Sequence, residues 1–464
     1  MSFSLRPALP LAGLVLLNLT LCESLGIYSR TNCLLVMIAY GLGLWGTLAR
    51  DRVLRFGNGR FNGNGLLLGA FALLLVGWAV PYATVSFPDV DWAVLALPPV
   101  ALVGFLLTVL IVALGWHELI ADMSPRFRAA VPWMLAGVLL VSFVLHSLVI
   151  YASPEPIVDV YNLLHDSADY ILVGQNPYAH DYHSPYHTER AKENYLYFPD
   201  HPLRVPGYPP LAYLISTAPR FFKADVRWAD VVADAVAGLC LFLVGRRRGR
   251  PFAGLVVAAT YLFLPKTTFV IERSWTEPLV NAFLGLGFVL TERTGAARVV
   301  GHICFGLGLT AKQYGVPMFV PYVWAFRSSW RLVLAGLAVG VAIMLPWLFW
   351  SPRDFLDIVV VKHLTKAPGF HSCTLISASA DLLGSYPKPA AMWLVCGPLL
   401  LLIAYRTPPA GPAAALAMGT ALMTYVVFSP VGFMNYFLPV QYLWLMGSLA
   451  LAFPDDAVHT LTSR

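Results

Sequence analysis

Pro209-Pro210-Leu211-Ala212-Tyr213-Leu214-Ile215-Ser216-Thr217-Ala218-Pro219-Arg220-Phe221-Phe222 decides how this chain is threaded. The stretch is apolar enough to suggest a membrane crossing, but a crossing needs about 20 apolar residues and this one is short. Taken as a crossing, it inverts every later loop and turns the run Arg246-Arg247-Arg248-Gly249-Arg250 outward. Taken as a helix lying at the outer interface or dipping partway in, it leaves the basic loops together on one side. The second reading is the consistent one, and the next crossing then begins near Asp225.

Working outward from that segment, composition supports a polytopic membrane protein. Of 464 residues, 58% are hydrophobic and 12% charged, about half the charged share of a soluble domain. The formal charge of +6 is scattered between apolar stretches, which argues for topology signals and against a nucleic-acid surface. Apolar stretches lie near 9–27, 32–48, 64–83, 93–115, 131–151, 226–245, 252–265, 275–292, 297–311, 313–326, 332–350, 389–405, 411–429 and 434–452. They predict about fourteen spans, one or two of the shorter ones re-entrant or broken. The first, from Leu9 to Cys22, lacks a small-x-small cleavage site and reads as a signal anchor. Cys240, Cys304 and Cys396 lie in apolar stretches without metal-ligand spacing, and Cys22 and Cys33 flank one short loop where two free thiols are expected.

With the N-terminus in the cytoplasm, the inner loops carry Arg50, Arg52, Arg55, Arg60, Arg126, Arg128, Arg246–Arg250, Arg293, Arg298, Arg327, Arg331 and Arg406. Both termini are then cytoplasmic. All seven lysines (Lys192, Lys223, Lys266, Lys312, Lys362, Lys366 and Lys388) fall on the outer side. Outer loops are ordinarily poor in basic residues, so lysines at outer span ends suggest an anionic ligand on that face.

The long polar segment at 152–225 carries the chemistry. It opens Pro156-Ile-Val-Asp159-Val-Tyr161-Asn-Leu-Leu-His165-Asp166-Ser-Ala-Asp169-Tyr-Ile-Leu-Val-Gly174-Gln-Asn176-Pro177-Tyr178. Val160, Leu163, Leu164, Ser167, Ala168, Ile171 and Leu172 recur at helical spacing and form one face; Asp159, Asn162, Asp166 and Asp169 supply the other. Asp159 and Asp166 are about two turns apart on similar faces. Gly174 is expected to end the helix and Asn176-Pro177-Tyr178 to turn the chain.

Asp-x-Tyr, a helix, Gly-x-Asn-Pro-Tyr and then Gly207-Tyr208-Pro209-Pro210-Leu211 resemble the first outer loop of polyprenol-phosphate-dependent GT-C glycosyltransferases, in particular bacterial mannosyl- and arabinosyltransferase-like families. Trp275-Thr-Glu277-Pro278, Ala311-Lys312-Gln313-Tyr314 and Asn435-Tyr436-Phe437 are similar to later pieces of the same group. The resemblance covers roughly residues 131–450. It implies an all-α, GT-C-like bundle of about 14 transmembrane helices, with interfacial helices in a large first outer loop. The domains implied are an N-terminal four-span extension at 1–130, a catalytic module at 131–452 and a cytoplasmic tail at 453–464.

The same resemblance implies a catalytic carboxylate just after the first core span. That position falls at Asp159, although counting back from Gly174 places the family acid nearer Val160; Asp166 is the reserve candidate. A sugar on a polyprenyl phosphate already has a good leaving group, so a positioned carboxylate is needed only to take the acceptor proton. Cationic groups would stabilise the departing phosphate, and the outer loops offer Arg273, Lys312, Lys362, Lys266 and His363. A solvated loop is the plain alternative for Glu272 and Arg273, and snorkelling at a span end for Lys312. Tyr161, Asn176, Tyr178, Tyr208, Glu277, Gln313 and Asn435 are the expected substrate-binding residues. His180, His183, His187 and His201 match no tight zinc spacing, so no metal or cofactor is expected beyond the lipid-linked sugar co-substrate. The expected partners are that donor, a glycan or lipid acceptor, and membrane lipids, in a bacterial plasma membrane.

Two other classes compete. A transporter or lipid flippase would use Asp230, Asp234 and Glu277 along a pathway, but the hydropathy pattern shows no internal repeat. An outer-face ligase or polymerase would also use a large outer loop, without the Asn-Pro-Tyr and Tyr-Pro-Pro-Leu pair.

Overall fold

The computed structural model describes residues 2–24, 29–48, 53–55, 106–107, 109–111, 124–182, 184–188, 207–362, 372–385, 387, 389–409 and 411–453. The expected spans near 64–83 and 93–115 lie largely outside these residues, as does His363. Within the described residues the regular structure is helical, apart from a three-residue antiparallel pair, Ser2–Ser4 with Val53–Arg55. Four described helices are long and apolar enough to cross a membrane: Arg30–Leu48, Pro125–Ala152, Trp228–Arg247 and Arg327–Trp350. Pro251–Leu262 and Lys266–Glu272, bent by 48°, make a broken fifth if taken together. Further apolar helices, including Glu277–Thr291, Ala296–Thr310, Ala414–Phe428 and Phe437–Ala452, have 10–17 residues, less than a perpendicular crossing uses. The chain is therefore an all-helical membrane protein with several apolar helices.

Pro210–Phe221 is a helix of 12 residues, roughly 18 Å long and too short to cross. It packs on Asp159–Leu172 through Ala212 and Tyr213, which share one apolar cluster with Val160, Leu164 and Ala168. Arg220 closes the pair with a fork onto Asp169, Nε to Oδ1 at 2.9 Å and the second nitrogen to Oδ2 at 2.8 Å. Its exposed end carries Phe221 and Phe222, the amphipathic pattern of an interfacial helix.

The bundle core is built around Phe437–Ala452, buried along almost its whole length. Leu5–Ser24 and Arg30–Leu48 pack on it: a Cβ at Gly13 or Gly43 would meet the indole of Trp444. Elsewhere backbones touch directly. A side chain on Gly306 would collide with the Gly336 carbonyl, and one on Gly336 with the His302 carbonyl. Small residues that admit such an approach substitute for the hydrophobic drive that lipid removes. Gly336→Ala is accordingly expected to push Ala296–Thr310 and Trp330–Trp350 apart and lower the thermal midpoint in detergent by several degrees; an unchanged midpoint would show that the approach is not required.

Candidate active site

The helix Asp159–Leu172 begins with its acid in the first turn, where a carboxylate is favoured by the helix dipole. Val160, Leu163, Leu164, Ser167 and Ala168 are buried on one face, as the spacing predicts, while Leu172 is exposed. The helix ends at Gly174, whose φ of 73° lies in the left-handed region. Asn176 then caps the short turn Pro177–Ala179 by accepting from the Tyr178 amide at 3.0 Å. Tyr178 is buried, and its hydroxyl donates to the Tyr208 carbonyl at 2.8 Å. Asn-Pro-Tyr and Tyr-Pro-Pro-Leu, 30 residues apart, are thus one structural unit.

Asp159 is half-buried and accepts from the Tyr186 hydroxyl at 3.3 Å. Burial first, then the Asp159 and Glu277 carboxylates, hold the Tyr208 hydroxyl well above its ordinary value. Arg273 lies on the same side: it donates to the Ile157 carbonyl at 3.1 Å and its charge acts on Tyr186. Asp166 points elsewhere. Its side chain is 41% exposed and meets His165 Nδ1 at 3.1 Å.

Glu277, the first residue of Glu277–Thr291, is wholly buried and gathers three segments. Its Oε1 accepts from Lys312 Nζ at 2.5 Å, from the Tyr314 hydroxyl at 3.1 Å and from Asn435 Nδ2 at 2.8 Å. Lys312 Nζ also sits 5.1, 5.4 and 5.9 Å from the ring centres of Tyr208, Tyr314 and Tyr436, within range of attraction to their faces. Burial lowers the Lys312 ammonium below the usual lysine range, and the Glu277 carboxylate works against that. Gln313 Nε2 donates to the Gly207 carbonyl at 2.5 Å, fixing the loop that carries Tyr208 over the ammonium.

A second charged group braces the helices at Tyr161, two residues along from Asp159. Arg227 is wholly buried; it pairs with Asp225 Oδ2 at 2.7 Å and donates to the carbonyls of Glu272 and Ile150 at 3.3 and 3.4 Å. Tyr161 lies 5.0 Å from that guanidinium, and burial together with the Asp225 charge pushes its hydroxyl up to about 12. Glu272 Oε1 accepts from Ser153 at 2.7 Å, and Oε2 lies 2.8 Å from Arg273 Nε. Glu272, Arg273 and Lys312 are therefore buried members of ion pairs, not solvated or snorkelling side chains. The turn from Arg273 to Glu277 passes through Ser274 at φ 55°, a left-handed residue of the kind that costs on the order of 1 kcal/mol or more and is retained where the surroundings demand it.

Lys312 and Gln313 line a groove of about 480 Å³ whose walls are otherwise mostly apolar, among them Met344, Val359, Ile376, Trp393, Tyr425 and Phe428. That size suits part of an organic ligand. Val341 and Trp393 line it and are also exposed, so the groove is open to the surface.

No family model matches the chain. It is 25% identical over 229 residues to GPI mannosyltransferase 1 of Eremothecium gossypii, a match covering 46% of this chain and 50% of that protein. The likeness is to a glycosyltransferase. The chain spans about half the length of the curated relative it matches.

Of the residues expected to form such a site, the structure brings together Asp159, Tyr208, Glu277, Lys312, Gln313 and Asn435, with Arg273 beside Tyr186. Asn176 and Tyr178 scaffold the loop, and Tyr161 packs on Arg227. Lys266 lies apart: its ammonium binds the carbonyls of Leu17 and Asn18 at 3.3 Å and Asn18 Oδ1 at 3.1 Å. Lys362 is 50% exposed and faces Asp357 Oδ2 at 3.7 Å. Tyr186 and Arg227 were not legible as site residues. Tyr186 stands in a run crowded with tyrosine and histidine, and Arg227 is marked only by the Asp225-Val226-Arg227 spacing at the start of a span.

Proposed function

We propose that this chain is a glycosyltransferase that moves a monosaccharide from a polyprenyl-phosphate donor to a lipid or glycan acceptor at the extracytoplasmic face of a bacterial plasma membrane. The observation that carries the proposal is that the Asp159 carboxylate and the buried Glu277–Lys312 pair both act on Tyr208, while Lys312 also lines an apolar groove. The groove takes part of the prenyl chain. Lys312 has three N–H donors, of which Glu277 uses one, so the donor phosphate can bind without breaking the pair. Gln313 and Arg273 add donors nearby. Tyr208 offers a ring face to the sugar, and Glu277 and Asn435 set the depth of the pocket.

The reaction is a single inverting displacement. The acceptor oxygen forms a bond to the anomeric carbon as the bond from that carbon to the phosphate oxygen breaks; Asp159 takes the hydroxyl proton, and the phosphate leaves against Lys312. The described long and shorter apolar helices, together with the apolar stretches at 64–83, 93–115 and 313–326, make about fourteen crossings, with both termini cytoplasmic. The rival transporter reading draws on Asp230 and Asp234, buried in Trp228–Arg247 with His146 Nδ1 3.4 Å from Asp234. Asp230 lies within electrostatic reach of Glu277 and Lys312, so the two readings share one site and are separated by whether sugar or lipid is moved.

The test uses purified protein in liposomes with labelled polyprenyl-phosphate sugars and, separately, labelled nucleotide sugars. Transfer from one lipid donor and from no nucleotide sugar is expected. Transfer that proceeds from a nucleotide sugar without lipid carrier would overturn the donor class, and transport of a lipid without transfer would overturn the enzyme.

A further inference from the structure

Cys33 and Cys373 are far apart in sequence and meet in space. Cys33 is in the first turn of Arg30–Leu48, and its Sγ lies 3.6 Å from the carbonyl oxygen of Thr374, the residue after Cys373. The Cys373 thiol reaches the Ser29 backbone and feels the charge of Cys33. The two thiols are 4% and 0% exposed, in contact with one another's segments rather than with solvent. A second link lies just outside: Arg30 Nε donates to Asp381 Oδ2 at 2.7 Å, joining the same two segments. Thr374 caps the following helix, Leu375–Leu383, by accepting from the Ser377 amide at 3.2 Å. Ile376 of that helix lines the apolar groove.

We infer that Cys33 and Cys373 form a disulfide in the mature protein, stapling the N-terminal helices to the wall of the groove. The inference goes beyond the transferase reading and rests only on the threading that places both cysteines at outer span ends. Compartments on that side of a membrane favour disulfides. Formation needs an oxidant, a protein disulfide of the exchange class. One thiolate attacks it, the second displaces the donor sulfur from the mixed disulfide, and the donor departs as a dithiol that carries off the two electrons and the two protons given up by the cysteines. Burial pushes the Cys373 thiol up to about 12, so exchange is slow once the segments have packed.

The test is alkylation of the full chain with N-ethylmaleimide in denaturant without reductant, followed by proteolysis and mass spectrometry. The expected product is a cross-linked pair of peptides, one with Cys33 and one with Cys373, lighter by two hydrogens than their sum and separated by reductant. Cys22→Ser should leave the cross-link intact; Cys33→Ser should leave Cys373 alkylated and lower the thermal midpoint by several degrees. Maleimide on both Cys33 and Cys373 of the wild type, or a cross-link from Cys33 to Cys22, would overturn the inference. Because the readout is covalent mass, it is independent of whether any sugar is transferred.

Discussion

Asp159→Asn should reduce sugar transfer by about 10²–10⁴-fold, the contribution of one positioned general base, with little change in thermal midpoint. The amide keeps the shape of the side chain and can still accept from Tyr186, but it cannot take a proton. The small structural cost follows from position. Asp159 is half-buried at a helix start and forms no ion pair among the described residues, so what is lost is a modest interaction with the helix dipole. Asp166→Asn is the control, since its carboxylate is 41% exposed and paired with His165; its transfer rate should stay within a few-fold of wild type. Initial rates with a saturating lipid donor distinguish the two. Loss in Asp166→Asn alone would keep the enzyme class and move the base by two turns of helix.

Glu277→Gln carries the largest expected cost in stability, about 3–5 kcal/mol, because it leaves the buried Lys312 charge without its hydrogen-bonded counter-charge. Lys312→Met should cost less, since Glu277 keeps Tyr314 and Asn435 as donors. The double variant removes both charges together and should be more stable than the sum of the single losses implies, by a coupling of roughly 1–3 kcal/mol. Denaturation midpoints of the four proteins in one detergent close the cycle; additive losses would mean that the ion pair does not hold the pocket. All three variants should also lose transfer, because the phosphate partner is displaced or absent. The stability cycle therefore separates the pair's structural role from its chemical one.

Much of the first outer loop was legible because its information is local. The spacing of Val160, Leu163, Leu164 and Ala168, the stop at Gly174 and the short apolar run at Pro209–Phe222 each depend on neighbours within a few turns, and each folds as the pattern predicts. The fates of the cations were not legible, because burial is decided by distant partners. Lys312 and Lys266 look alike in sequence, each at the outer end of an apolar stretch. One meets Glu277 and three tyrosines, while the other meets Asn18, which is 248 residues away. The groove could not be read either, since its walls come from four or more segments between Pro209 and Pro430. Span bounds were legible to within a few residues at 226–245, 297–311 and 389–405, while 131–151 fell short of Pro125–Ala152 and 411–429 overran Ala414–Phe428. In a bundle whose helices are buried by one another, apolar runs extend into turns and short packed helices, and composition alone does not mark where the helix stops.

Arg227 bears on how such a pocket comes into being. Its guanidinium is seated by main-chain oxygens of Ile150 and Glu272, 77 and 45 residues away, and by the carboxylate of Asp225. A nascent chain released as far as the Trp228–Arg247 helix already carries Asp159 but not the carbonyl of Glu272. The acid's platform is therefore finished only after the broken helix pair has been inserted and folded back. Until those later helices arrive, the guanidinium that ends wholly buried in the folded protein lacks one of the carbonyls that seats it.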